Sequence, residues 1–463
     1  MTGELHFKTV RELGELVRTR QVSPVELAEL SLHRLDIVGR HLNAVVTLTD
    51  ERAMREAWVA EAEIAAGNYR GPLHGIPYGA KDLLATADGI PTSWGAAPYR
   101  SRMFARDATV VRKLEEAGAV LCAKLSLVEL AGGMGYRQPN AAFTGPGVNP
   151  WNREHWTGGS SSGSGSAVAA GLVPFAIGSE TWGSILGPAS NCGLSGLRPT
   201  YGRVSRHGAM ALSWTLDKLG PLARSADDCG LVLDAIAGAD ANDPTASDRS
   251  YAYNAGDAGR RMRVGVFRDA AANAEDAVRA AFEGALDVLR TFADVEEIDL
   301  PDLPYRAVTQ TILQAEATSA FEDFMREGKL DELTAPEVAY QPLARFAIPA
   351  TDYIRALRLR GVIARQVGDL IASYDAIAAP TRGLVAPDIE GEFVAAQARD
   401  NMGAIGNGVG LPAVSVHNGF APDDLPTGMQ LMGGAYRENA VLAVARAYQA
   451  RTDWHMHHPA EFA

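Results

Sequence analysis

Two hydrophobic periods alternate along this chain, and few architectures accommodate that alternation. "ATVVRKLEEAGAVLCAKLS" reads as a helix that ends at Gly118 and then the strand "AVLCAKL". Further on, "RVGVFRD" predicts a strand, "AEDAVRAAFEGALDVLRTF" a helix and "ADVEEIDL" a strand. "YDAIAAPT" and "LPAVSVHNGF" predict two more strands, and "NAVLAVARAYQAR" a closing helix. Strands alternating with helices predict an α/β sandwich around a largely parallel or mixed sheet. The first sixty residues read as helical. Ser23, Pro24 and Glu26 mark a helix start, with a capping residue and proline at the first helical position. This N-terminal helical segment runs to about residue 67. Residues 305 to 372, rich in helical pattern, predict a helical cover or insertion on the sheet. No linker and no fixed-period repeat breaks the chain, so one domain spanning 1–463 is expected.

Bulk properties exclude several classes of function. The 463 residues are 47% hydrophobic and 21% charged, enough for a large core. A net charge of −13 without any basic run argues against nucleic-acid binding. Cys122, Cys192 and Cys229 are far apart and odd in number, which predicts buried free thiols in a reducing compartment, with no disulfide framework and no zinc site. The charged N-terminus has no apolar signal region, and no stretch reaches the ~18 apolar residues that span a bilayer. A cytoplasmic protein without membrane contact is expected. No metal cluster or cofactor loop is visible, so neither a metal nor a cofactor is expected.

The stretch "TGGSSSGSGSAVAAGLVPFAIGSETWGSILGP", Thr157 to Pro188, places hydroxyls on both sides of an apolar run fit for a core. Serine becomes a nucleophile only when a base takes its proton. None of the ten histidines sits in a catalytic motif; His155 and His207 only flank the region. Gly159 to Gly163 match G-x-S-x-G, with Ser161 at the nucleophile position, but a loop-like segment precedes them where that elbow needs a strand. A phosphate loop would need GxxxxGK[ST] or a well-placed GxGxxG, and neither is present.

These residues resemble the amidase signature family. The likeness is carried by "GGSSSGSGSAVAAG", "GSETWGSI" and "GLRPTYGRVS", and extends to "GPLHGIPYGAKD", "LDKLGPLARSADD", "GLPAVSVHNGF" and "LPTGMQLMG" in the same order. The resemblance implies a single large α/β/α sandwich, its mixed, mostly parallel central sheet covered by helices. It also implies a Ser–Ser–Lys triad without histidine. By motif, Lys81 is the base, Ser160 the bridging serine, on a cis peptide bond, and Ser184 the nucleophile. Backbone N–H groups of Thr181, Trp182, Gly183 and Ser184 would form the oxyanion hole. A lysine base must be neutral against an ordinary pKa of ~10.4, which burial favours. Arginine does not give up its proton, and this arginine-rich chain keeps one of its six lysines at that position.

The chain departs from the common family form "DTGGSIR": Trp182 stands for a glycine and Leu186 for the arginine, and Gly187 and Ser162 also differ. Trp182 is expected to line the acyl pocket, with Met134 and Tyr136 of "GGMGYRQPN" on another wall. Residues 131–147 and the helical cover are the expected walls. Trp182, Leu186 and Met134 predict an apolar surround. The reading is a stand-alone amidase for a neutral, aromatic or bulky small-molecule amide, with carbamate, urea-type or ester cleavage as variants. A glutaminase subunit of a tRNA-dependent amidotransferase, which needs a partner protein, is the alternative within the family. A non-catalytic scaffold and an α/β-hydrolase esterase acting through Ser161 are alternatives outside this reaction. A homodimer is expected only by analogy.

Overall fold

The computed structural model describes residues 2–256, 259–335, 341–391 and 401–462. Among the described residues eleven strands form one sheet: β1 Val45–Leu48, β2 Pro77–Lys81, β3 Val120–Leu125, β4 Phe175–Glu180, β5 Ser195–Arg198, β6 Lys218–Ala223, β7 Met262–Phe267, β8 Ala293–Ile298, β9 Ala376–Pro380, β10 Ala413–Phe420 and β11 Pro426–Met432. Their order is β1-β3-β2-β4-β6-β5-β10-β11-β9-β7-β8. The sheet is mixed, as expected, but it is not mostly parallel. Six neighbouring pairs are antiparallel; only β2 with β3 and β4, and β7 with β8 and β9, are parallel. Antiparallel neighbours such as β10 and β11 follow each other through a short turn, so no helix has to cross between them.

Helices cover both faces. They are α1 Val10–Arg18, α2 Pro24–Arg34, α3 Asp50–Ala65, α4 Thr109–Glu116, α5 Ser162–Ala169, α6 Leu186–Asn191, α7 Ala226–Ile236 and α8 Asp276–Arg290. The rest are α9 Tyr305–Ala320, α10 Glu322–Arg326, α11 Gln341–Ala344, α12 Ala350–Ile371, α13 Asn401–Gly408 and α14 Glu438–Gln449. Side chains alternate faces along a strand. Accordingly Leu121 packs into one apolar cluster, with α1, α4, α7 and α14, while Val120 and Cys122 enter another, with α3 and α5. Ser23 caps α2 as expected, accepting from Val25 N at 3.0 Å. The N-terminal segment is not wholly helical, because β1 interrupts it. The expected helical cover consists of α9 to α12; residues 336–340 lie outside the described residues. All three cysteines are free and buried.

The Gly/Ser-rich stretch has a packing reason. Every residue of α5 is buried. A Cβ on Gly163 would lie 2.5 Å from the amide nitrogen of Ser126 and closer still to the carbonyl oxygen of Ala44. On Gly165 it would lie 3.2 Å from the Cys192 sulfur. Small residues let α5 press against β3 and α6, and the serines just before it are drawn into the sheet.

Candidate active site

Four segments converge at the ends of β2 and β4. Lys81 is the last residue of β2, which lies between β3 and β4. Ser160 and Ser161 immediately precede α5, and Ser160 follows a cis peptide bond from Gly159. Ser179 closes in from β4. Ser184 sits on the turn between β4 and α6, 8% exposed.

Lys81 is fully buried, and its Nζ lies 2.9 Å from each of the hydroxyls of Ser160, Ser161 and Ser179. Burial holds its pKa well below the ordinary lysine value, although the charges of Asp217 and Glu180 pull the other way. Ser161 donates to the carbonyl oxygen of Ser184 at 2.5 Å and accepts from Ser179 N at 3.3 Å. That hydroxyl is spent inside the cluster and fully buried, and the residues before it form turns and loop, not a strand. It cannot serve as the exposed serine of a nucleophile elbow. His155 turns away, to the carbonyl of Ala386 at 2.9 Å.

The turn that carries Ser184 is clamped from beneath. Glu180 accepts the backbone N–H groups of Ile185 at 2.9 Å and Leu186 at 3.0 Å, and its other oxygen takes Arg198 at 2.8 Å. Burial opposes its charge, yet Arg198, Lys218 and the Leu186 amide hold Glu180 down at about 2. On the other flank, the Thr181 hydroxyl donates to Asp217 at 2.5 Å, and Asp217 also accepts Leu212 N at 2.8 Å and Ser213 N at 2.9 Å. Burial raises the Asp217 carboxyl above its usual range despite these bonds. Within the turn only Gly183 is left-handed, at φ +80, so Trp182 adopts a conformation open to any residue. Among the described residues no backbone carbonyl takes the N–H of Trp182, Gly183 or Ser184.

The turn opens onto a cleft of about 1030 Å³. Thr181, Trp182, Gly183 and Ser184 line it, as do Tyr136, Leu186 and Gly187. Trp182 is half-buried beneath the Arg306 guanidinium, which lies 5.5 Å from its ring centroid. Tyr136 stands edge-on to Trp156, with ring centroids 6.1 Å apart. Met134 does not line the cleft. It is 1% exposed in the apolar core, while Gly133, Gly135 and Tyr136 face the cavity. The strand-and-helix pattern could not settle which residues of that loop point outward. The cleft is also more polar than Trp182 and Leu186 suggested: Arg268, Asp269, Asp302, Arg306, Arg345 and Arg382 line it as well. Several come from the ends of β7, β8 and β9, walls not foreseen in the sequence. A smaller cavity of about 190 Å³ shares Ala131, Thr181 and Leu212 with the cleft, and Ser179 and Asp217 line it. Ser179, Glu180 and Asp217 were missed in the sequence. The only signal was a carboxylate and a hydroxyl just ahead of the turn.

A family model described as Amidase matches residues 26–442. The chain belongs to the amidase family. It is a hydrolase of the amidase signature enzymes, and its relatives cover it almost end to end. A glutamyl-tRNA(Gln) amidotransferase subunit from Roseiflexus sp. (strain RS-1) is 39% identical, over 98% of each chain. Among solved structures, a protein of a vestigial complex bearing on the origins of an s-triazine catabolic enzyme superposes with a TM-score of 0.87. It is 31% identical over 96% of this chain and 98% of that one. The native peptide amidase of Stenotrophomonas maltophilia superposes at 0.83, with 30% identity over 96% and 97% of the two chains. Among the described residues, no helix of this amidase is long and apolar enough to cross a membrane. No group of three or more His, Cys, Asp or Glu among them could hold a metal ion.

Proposed function

We propose that the chain hydrolyses amides through a seryl acyl-enzyme, with Ser184 as nucleophile, Ser160 as proton relay and Lys81 as base. The observation that carries this reading is the fully buried Lys81 amine, 2.9 Å from the Ser160 hydroxyl, in surroundings that disfavour its charge. Ser184 Oγ attacks the carbonyl carbon while its proton passes through Ser160 to Lys81. The carbonyl oxygen becomes negative and is held by the N–H groups of the Thr181–Ser184 turn. The C–N bond then breaks, and the proton returns through Ser160 to the leaving nitrogen. Water, deprotonated by the same relay, attacks the ester and releases a carboxylic acid and free Ser184.

The proposed substrate is a neutral small-molecule amide with an aromatic or bulky group against Trp182 and Tyr136. The breadth of the cleft supports this, since about 1030 Å³ is at the upper end of drug-sized pockets. Carbamates and esters fit the same acyl-enzyme route. A second reading, a glutaminase subunit of a tRNA-dependent amidotransferase, draws on the 39% identity to an amidotransferase protein over 98% of both chains.

The catalytic reading is tested by intact-mass and peptide mapping after treatment with a small fluorophosphonate. A single adduct on Ser184, weakened in Lys81→Ala, is expected. An adduct on Ser161 that ignores Lys81→Ala would overturn the assignment.

A further inference from the structure

We propose that Ser179 is a positioning residue whose hydroxyl turns the lone pair of Lys81 toward Ser160. The inference rests on the roles assigned above to Lys81, Ser160 and Ser184, and adds what makes that base directional.

The hydrogen count around the amine leads there. A lysine ammonium has three N–H donors and no lone pair; the neutral amine has two N–H donors and one lone pair. Three hydroxyl oxygens lie 2.9 Å from Nζ, those of Ser160, Ser161 and Ser179, so an ammonium would donate to all three. In the neutral base one contact must reverse, with a hydroxyl donating to nitrogen. Ser161 cannot be the one that reverses. Its single proton goes to the carbonyl oxygen of Ser184 at 2.5 Å, so toward Lys81 it can only accept. The second N–H then has two possible acceptors. If Ser160 takes it, the lone pair faces Ser179 and the relay is blocked. If Ser179 takes it, the lone pair faces Ser160 and can receive the proton that Ser160 carries from Ser184.

Two features favour the productive arrangement. The carbonyl oxygen of Ser179 also lies 3.5 Å from Nζ, so an N–H aimed toward that residue meets two acceptors. Ser179 also lines the small cavity of about 190 Å³, which is large enough for a water that accepts a hydrogen bond from a lining hydroxyl. The charged groups acting on Lys81 are Asp217, ahead of β6, and Glu180 on β4, and both favour the ammonium. The segment before α5 contributes only hydroxyls. Directing the lone pair therefore falls to the hydroxyls and not to a counter-ion.

Ser179→Thr and Ser179→Val test this, because they add the same methyl group and differ in whether a hydroxyl remains. Each is checked for folding by thermal melting, and kcat/KM is measured against pH on an aryl amide that the wild type turns over. Ser179→Thr is expected to stay within about threefold of wild type. Ser179→Val is expected to lose about tenfold or more in plateau kcat with KM unchanged. Its acid limb should move to lower pH, because the ammonium has lost one of its three acceptors. Superimposable pH profiles for the two variants would overturn the proposal. Should Ser179→Val not fold, Ser179→Ala against wild type reads the same limb, and an unmoved limb counts against Ser179. Fluorophosphonate labelling of wild-type Ser184 is read alongside. Its absence strikes the catalytic reading itself, whereas labelling with identical Thr and Val profiles strikes only Ser179.

Discussion

Lysine chemistry governs the site at the scale of single residues. In the proposed role of base, the Lys81 side chain is useful only without its proton, and burial lowers its pKa well below that of a free lysine. Activity should therefore rise with pH as Lys81 loses its proton, with the limb below ~10.4. Lys81→Arg puts a cation that cannot deprotonate in place of the neutral amine, and should lose about 10²- to 10⁴-fold in kcat; steady-state kinetics on an aryl amide would measure it. The sign for stability is the same. The unfolded lysine binds its proton more tightly than the folded one, so this group's contribution to stability rises with pH between the two values. Lys81 was legible because lysine is rare in this chain and sits in a recognisable segment. Glu180 and Asp217 were not, because a carboxylate's role depends on which amides fold onto it. Met134 was misplaced for the same reason, since adjacent loop residues give no period from which to read a direction.

Small residues do the positioning at the scale of elements. The strand β2 delivers Lys81, β4 delivers Ser179 and Glu180, and α5 draws Ser160 and Ser161 into the sheet. Gly163→Ala should force α5 off β3, because its Cβ would overlap the backbone oxygen of Ala44 and lie 2.5 Å from the amide nitrogen of Ser126. Overpacking of that kind costs about 1–3 kcal/mol. Denaturant unfolding should show the loss, and activity should fall with it, since Ser160 and Ser161 directly precede that helix. Strands β3, β7, β8, β9, β10 and the helices beside them were visible as hydrophobic periods. The strand β1 was hidden: four residues, only Val45 buried, between helical segments. The direction of pairing was equally invisible, because a strand carries the same side-chain alternation in a parallel and an antiparallel ladder.

The sheet order settles what the whole molecule presents to a substrate. Residues from the ends of β4, β7, β8 and β9 and from α9 share one cleft, though more than 200 residues separate Thr181 from Arg382. The purified chain alone should turn over aryl amides in a substrate panel and leave glutamine largely untouched. Glutamine turnover that appears only with a co-purifying partner would favour the amidotransferase reading instead. The sequence by itself determined the α/β class, five of the eleven strands with the helices beside them and, through its resemblance to the family, the three triad candidates, because hydrophobic period and local motif are properties of neighbouring residues. Only the tertiary structure decided the mixed pairing, the clamp of Glu180 and Asp217 on the Thr181–Leu186 turn and the charged walls of the cleft. Those depend on residues far apart in the chain meeting across strands, where burial and hydrogen bonding are decided by the whole fold.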